Sequence, residues 1–241
     1  MLQIFKKEIN TFLSSLIGYI VIGVFLTTTG LFVWFFKDNI LDFGYADMSS
    51  FFQVAPFVFL FLIPAITMRA FSEEVKSGTI ELLLTKPLTA WQIVLGKYVA
   101  CCALILLALL PTLLYYYSVY QLGNPQGNVD SAAVFSSYLG LFLLGCVFAA
   151  MGVFTSALTD SQVTAFVLAF VLCLILYYAI SSFAALPFMG SFGYLLGKLG
   201  LDYQYDALGR GLIDSRNVLY FLSVIFIALF ATRWRLIALR K

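Results

Sequence analysis

The chain has 241 residues, 62% of them hydrophobic and 17% aromatic, and only 11% are charged where a soluble domain averages about 25%. That composition excludes a water-soluble globular protein and describes one polytopic domain in a bilayer. A net charge of +2 gives no footprint for nucleic acid, and the absence of histidine removes the usual metal ligand and the usual general base.

The first 15 residues have a helical repeat. Leu2, Phe5, Ile9, Phe12, Leu13 and Leu16 share one side, while Gln3, Lys6, Lys7, Glu8, Asn10 and Thr11 fill the other. The pattern predicts an amphipathic helix over 1–15 lying in the membrane interface, with Phe5, Lys6 and Lys7 as its anchoring residues. A secretory signal peptide fails on length, because no charge follows from Ile9 to Phe36, 28 residues, and no small-residue cleavage pattern comes after.

Uncharged runs of about 20 residues, the length needed to cross a bilayer, then predict six spans, at 16–36, 51–68, 98–120, 134–158, 163–185 and 217–232. Six spans place both termini on one side. That side carries ten basic residues, Lys6, Lys7, Arg69, Lys76, Lys86, Lys97, Arg233, Arg235, Arg240 and Lys241, against four on the other, Lys37, Lys198, Arg210 and Arg216. The positive-inside rule puts the termini and the 69–97 loop in the cytoplasm.

The 69–97 loop is the most structured of the connections. Gly78 and Pro87 divide it into three pieces, residues 79–85 are long enough for a short helix, and Thr89 with Gln92 forms a capping box that starts the next helix. Farther on, Tyr115, Tyr116, Tyr117 and Tyr120 fall at the outer interface, as an aromatic belt or a substrate-binding cluster. The fourth span carries Gly145, Ala149, Gly152 and Ser156 on one stripe, for helix packing within the chain or a subunit contact. Asp160, in the tight turn after it, reads as a helix cap.

From Ser161 to Gly197 there are 37 uncharged residues, too many for one crossing and too few for two. Pro187, Gly190 and Gly193 break the second part, so 186–216 reads as a non-cytoplasmic segment whose apolar start dips back into the protein. A greasy loop lying on the bilayer is the alternative.

Chemistry is nearly missing. Cys101, Cys102, Cys146 and Cys173 lie in apolar runs without Cys-x-x-Cys spacing, as small core residues. No span has a charge in its core and no Gly-x-x-x-x-Gly-Lys-Ser/Thr occurs, so neither an ion relay nor ATP hydrolysis by that route has a candidate.

The run Phe71-Ser72-Glu73-Glu74-x-Lys76-x-Gly78-Thr79-Ile80-Glu81-Leu82-Leu83-Leu84-Thr85-x-Pro87, followed by Gln92-Ile93-Val94-x-Gly96-Lys97, resembles the signature of ABC-2 type permeases, the membrane subunits of ATP-binding-cassette exporters. Lys7-Glu8-Ile9-Asn10, Pro64-Ala65-x-Thr67-Met68-Arg69, Gln121-Leu122-Gly123-Asn124-Pro125 and Phe154-Thr155-Ser156 are similar to the gliding-motility-associated permeases of Bacteroidetes, over nearly the whole chain. The resemblance implies a non-catalytic inner-membrane subunit that binds no cofactor itself. ATP and magnesium would sit on a separate ABC ATPase dimer, and a second, larger membrane subunit or a second permease copy would complete the complex. It also implies that the segment from Gly78 seats in a cleft of the ATPase. Ile80, Leu83 and Leu84 would be buried there, with Glu74 and Glu81 pairing to basic residues, capping, or forming a solvated face. A membrane anchor that moves no substrate, and a channel or ion-coupled carrier, are the rival functions.

Overall fold

In lipid, helices associate through close packing and not through exclusion of water, so the helix approached most closely tends to become the centre. Here that is α8 (Ser131–Leu158), whose small residues leave its backbone accessible to neighbours on several sides. The computed structural model describes residues 1–36, 40, 46–84, 88–186, 190–211 and 213–239, and among these every regular element is helical. Around α8 stand α3 (Ser49–Thr67), α6 (Ala90–Leu109), α9 (Gln162–Leu174) and α13 (Ser215–Leu239). The most apolar stretch of α8 is 78% buried, against 22% for Gln162–Ala184 and 33% for α13, so the last two leave most of their surface for lipid or another chain.

Among the described residues five stretches are long and apolar enough to cross a membrane, Ser49–Lys76, Ala90–Leu122, Ser131–Leu158, Gln162–Ala184 and Ser215–Ala238. The first joins α3 to α4 (Arg69–Lys76). The second joins α6, a 3₁₀ turn at Leu110–Thr112 and α7 (Leu113–Leu122). Pro111 lies in that turn, where a missing amide and a fixed φ interrupt the α-helical ladder. The fourth contains a π turn at Ile175–Ala179 and ends in α10 (Ile180–Ala184). At the chain's start, α1 (Leu2–Leu13) and α2 (Leu16–Trp34) meet at a bend of 69° and make a sixth span only if both arms are counted together. Three short helices complete the fold, α5 (Thr79–Leu84), α11 (Gly190–Gly197) and α12 (Leu201–Leu208).

Local signals decide several boundaries. Thr89 Oγ1 accepts from Gln92 N at 3.3 Å and Thr89 N donates to Gln92 Oε1 at 3.1 Å, so the capping box read from the sequence starts α6. At α9 the expectation of an Asp160 cap is corrected: Ser161 is the N-cap, and its hydroxyl accepts from Thr164 N. The capping oxygen must reach an amide two or three positions on, and the residue directly before the helix makes that reach.

Candidate functional site

One end of α8 grips α4. Thr67, the last residue of α3, packs on Gly152, where an ideal Cβ would overlap Thr67 Oγ1 and lie 2.7 Å from Thr67 Cβ. Beyond the junction at Met68, the first amides of α4 have no partner within their own helix. Ser156 supplies one from α8: its hydroxyl oxygen accepts from Phe71 N at 2.9 Å and Ser72 N at 3.1 Å, while its proton is donated to Met68 O at 3.0 Å. A single buried hydroxyl thus caps α4 from outside and ties it to the central span.

The chain then turns. Ser77 N donates to Glu73 O and Gly78 N to Val75 O, and Gly78 takes φ +70°, a left-handed conformation that glycine adopts without steric cost. Ser77 Oγ lies 2.8 Å from Thr79 Oγ1 at the start of α5. Ile80 is 7% exposed and belongs to the core of this chain, whereas Thr79 and Glu81 face outward.

Behind α4 lies an ion network, centred on the buried Lys97, that joins three elements. Lys97 of α6 donates to Glu8 Oε1 of α1 at 2.7 Å and sits 3.1 Å from Glu74 Oε1 of α4, which also accepts from Lys7 of α1 at 3.2 Å. The Lys97 side chain is 2% exposed, and its ammonium also lies 5.1 Å from the centre of the Phe71 ring. Burial alone would lower the Lys7 pKa, but Glu74 first, then Glu8 and Glu73, outweigh it and the net shift is upward. Packing reinforces the charges: Ile4 of α1 rests on Gly96, where an added Cβ would come within 3.2 Å of it. Beside the network is a cavity of about 260 Å³ lined by Lys7, Thr11, Arg69, Glu74, Ser77 and Lys97. Arg69 Nε and Glu74 Oε2 are buried there without a hydrogen-bond partner among the described residues.

At the opposite end of α8 a larger cavity, about 650 Å³, opens between α3, the first turns of α8, the π turn and α12. Tyr205 of α12 donates to Phe52 O at 2.8 Å, and Tyr177 in the π turn stands edge-on to Phe57 and Phe148. Burial, then the charge of Asp202, raises the pKa of Asp206 on its wall, with Arg210 opposing.

Residues 2–190 match the model of the family described as "ABC-2 family transporter protein". The chain belongs to the ABC-2 transporter family. Among curated proteins none matches it. As an ABC-2 protein it is a multi-pass membrane component of an ABC transporter, and the family implies an ABC ATPase as partner in general.

The residues singled out from the ABC-2 signature are divided by the structure. Glu74 turns inward to Lys7 and Lys97, and Ile80 joins the core, so neither presents a free side chain to a partner. Gly78, Thr79 and Glu81 remain on the outer surface of the turn and of α5. The side chains of Leu83 and Leu84, and Pro87, lie outside the described residues. On α1, Phe5 is half-buried and Lys6 exposed, while Lys7 enters the network. Gly145, Ala149, Gly152 and Ser156 are all buried within this chain, Gly145 against Phe59 and Ile105, so the stripe packs helix on helix here. In the 186–216 segment, Gly190 has φ +49° with nothing among the described residues within 4 Å of an added Cβ, and Gly193 is buried. Gly190 therefore holds a left-handed backbone conformation that favours glycine at the start of α11. Pro187 lies outside the described residues.

Sequence reasoning missed Glu8 and Lys97 as partners. A lysine at the border of an apolar run reads as a residue reaching back to water. Nothing local says that a carboxylate 89 positions away will meet it.

Proposed function

We propose that this chain is the permease subunit of an ATP-driven exporter in the bacterial inner membrane, with its termini and the α4–α5 turn in the cytoplasm. A separate ATPase dimer closes on ATP and opens after hydrolysis. The surface from Gly78 through Glu81 to Leu83 and Leu84 seats in it, and the motion enters the membrane through α4. The observation that carries this reading is the anchoring of α4: Ser156 fastens it to α8, and Lys97 with Glu74 fastens it to α6 and α1. A segment so tied cannot shift without shifting three helices, which is what a transmission element requires. ATP and magnesium are held by the partner, and this chain performs no catalysis. The similarity of several sequence runs to gliding-motility-associated permeases supports a place in that apparatus, beside a second, larger membrane subunit or a second permease copy.

The test is co-purification and ATPase activity for Glu81→Lys and Leu83→Ala beside wild type. Each change is expected to remove about one to a few kcal/mol from a small interface, weakening assembly or coupling about tenfold or more. Membrane insertion should be unchanged. If both variants assemble with the ATPase and stimulate it as wild type does, the surface is not the coupling element, and a membrane anchor that moves no substrate becomes the better reading. Orientation is checked separately. Cysteine at Ser77 should be shielded from an impermeant thiol reagent in intact cells and cysteine at Gln126 should react.

A further inference from the structure

The last helix carries a feature that the coupling reading does not use. From Ser215 to Lys241 the sequence contains no acidic residue, yet Arg233, Arg235, Arg240 and Lys241 crowd its end. Among the described residues no carboxylate pairs with Arg233 or Arg235. The guanidinium of Arg233 is held 5.2 Å over the ring of Trp91, in the first turn of α6. Trp91 in turn stacks on Phe226 and leans on Phe230, with ring centres 6.3 and 6.5 Å apart. Phe230, Arg233, Trp234 and Ile237 line a groove of about 270 Å³ along α13. Its apolar members are open to the surroundings, Phe230 by 49% and Trp234 by 74%, and Phe226 beside it is exposed as well.

This arrangement has the two parts of a lipid site. A cation fixed over an indole is only partly hydrated and lacks a counter-charge, so an anion placed beside it would gain a charge-assisted contact with little reorganisation. Phe230 and Phe226, one turn apart and exposed, continue away from Arg233 along a helix apolar enough to lie in the bilayer. Tryptophan and arginine also mark the depth at which phosphate groups sit. An aqueous anion would use the cation but leave the phenyl rings unexplained. A neutral acyl chain would use the rings but leave the charge unmatched.

We propose that the groove on α13 is a binding site for an anionic phospholipid, its phosphate against Arg233 and one acyl chain along Phe230 and Phe226. The site lies at the α6 end that carries Trp91, one to two turns from Lys97, so bound lipid would brace the same corner of the bundle as the ion network.

The experiment is native mass spectrometry of the full chain released from detergent containing equal amounts of phosphatidylglycerol and phosphatidylcholine. Wild type is expected to retain the anionic lipid about fivefold over the neutral one, the equivalent of about 1 kcal/mol for one basic residue at an anionic surface. Arg233→Gln should bring the ratio near one, while Arg216→Gln, at the other end of α13, should leave it unchanged. Thermal unfolding in phosphatidylcholine alone checks that Arg233→Gln is folded. Equal retention of both lipids by wild type, or the same ratio in wild type and Arg233→Gln, would overturn the proposal. So would displacement of the lipid by soluble glycerophosphate, which would make the groove a simple anion site. Disulfide-linked dimers of Phe230→Cys in native membranes would place a second copy there and overturn it as well.

Discussion

The two ends of α8 are fastened by different chemistry. At the α4 end, three charged contacts and one three-way hydroxyl join elements from four parts of the chain, with Lys97 almost fully enclosed. At the α12 end there is no ion pair among the described residues, and the helices are held by phenol hydroxyls and ring edges. Tyr205 donates to Phe52 O, Tyr115 to Leu26 O at 2.9 Å, and Tyr138 to Thr112 O at 3.0 Å. Two of the three charged contacts run through the buried Lys97, so losing that one member weakens the network as a unit. Aromatic and hydroxyl contacts weaken one at a time. A more rigid end and a more adaptable end around a large cavity follow from that difference.

The contrast is broken most directly at Lys97. Lys97→Met leaves Glu74 with only the exposed Lys7 as partner and takes the cation from the partly exposed Glu8, and should cost about 3 kcal/mol, seen as a lower unfolding midpoint in detergent. Replacing Tyr205 by Phe, at the other end, removes one hydrogen bond and should cost only about 1 kcal/mol in the same assay. Equal losses would remove the distinction between the two ends.

Between those limits falls Gly152→Val. Its side chain must occupy the space of Thr67, so a loss of about 1–3 kcal/mol is expected from overpacking, together with a displaced α3–α4 junction. Hydrogen exchange at Phe71 and Ser72 should rise with it, because the Ser156 cap depends on the same close approach. Unchanged exchange there would detach the cap from the packing.

The smallest effect belongs to Asp206 and is a matter of sign. Its folded pKa is raised by burial and by Asp202, so the folded state holds its proton more tightly than the unfolded state does. The stability contributed by that proton is fully present below the ordinary aspartate range and is lost as pH rises through the raised folded value. Asp206→Asn should flatten this part of the stability profile, and an unchanged profile would assign the slope to another group.

Parts of this were legible in the sequence because they depend on neighbours along the chain. The capping box at Thr89 and Gln92, the break at Gly78 and the short helix after it rest on contacts within a few residues. The missed partners share the opposite property. Ser156 meets Phe71 across 85 positions, and Lys97 meets Glu8 across 89. The resemblance implies that Ile80, on the apolar side of its short helix, is buried in a partner's cleft. Whether that side faces inward depends on where α4 directs it.

By itself the sequence determined the medium, most of the long apolar helices and the break at Gly78. Apolar run length, glycine conformational freedom and capping hydroxyls act locally and leave a readable pattern. Only the tertiary structure decided which charges are buried together and which small residues admit a neighbour. Those outcomes turn on distances of a few ångströms between segments that the chain itself keeps far apart.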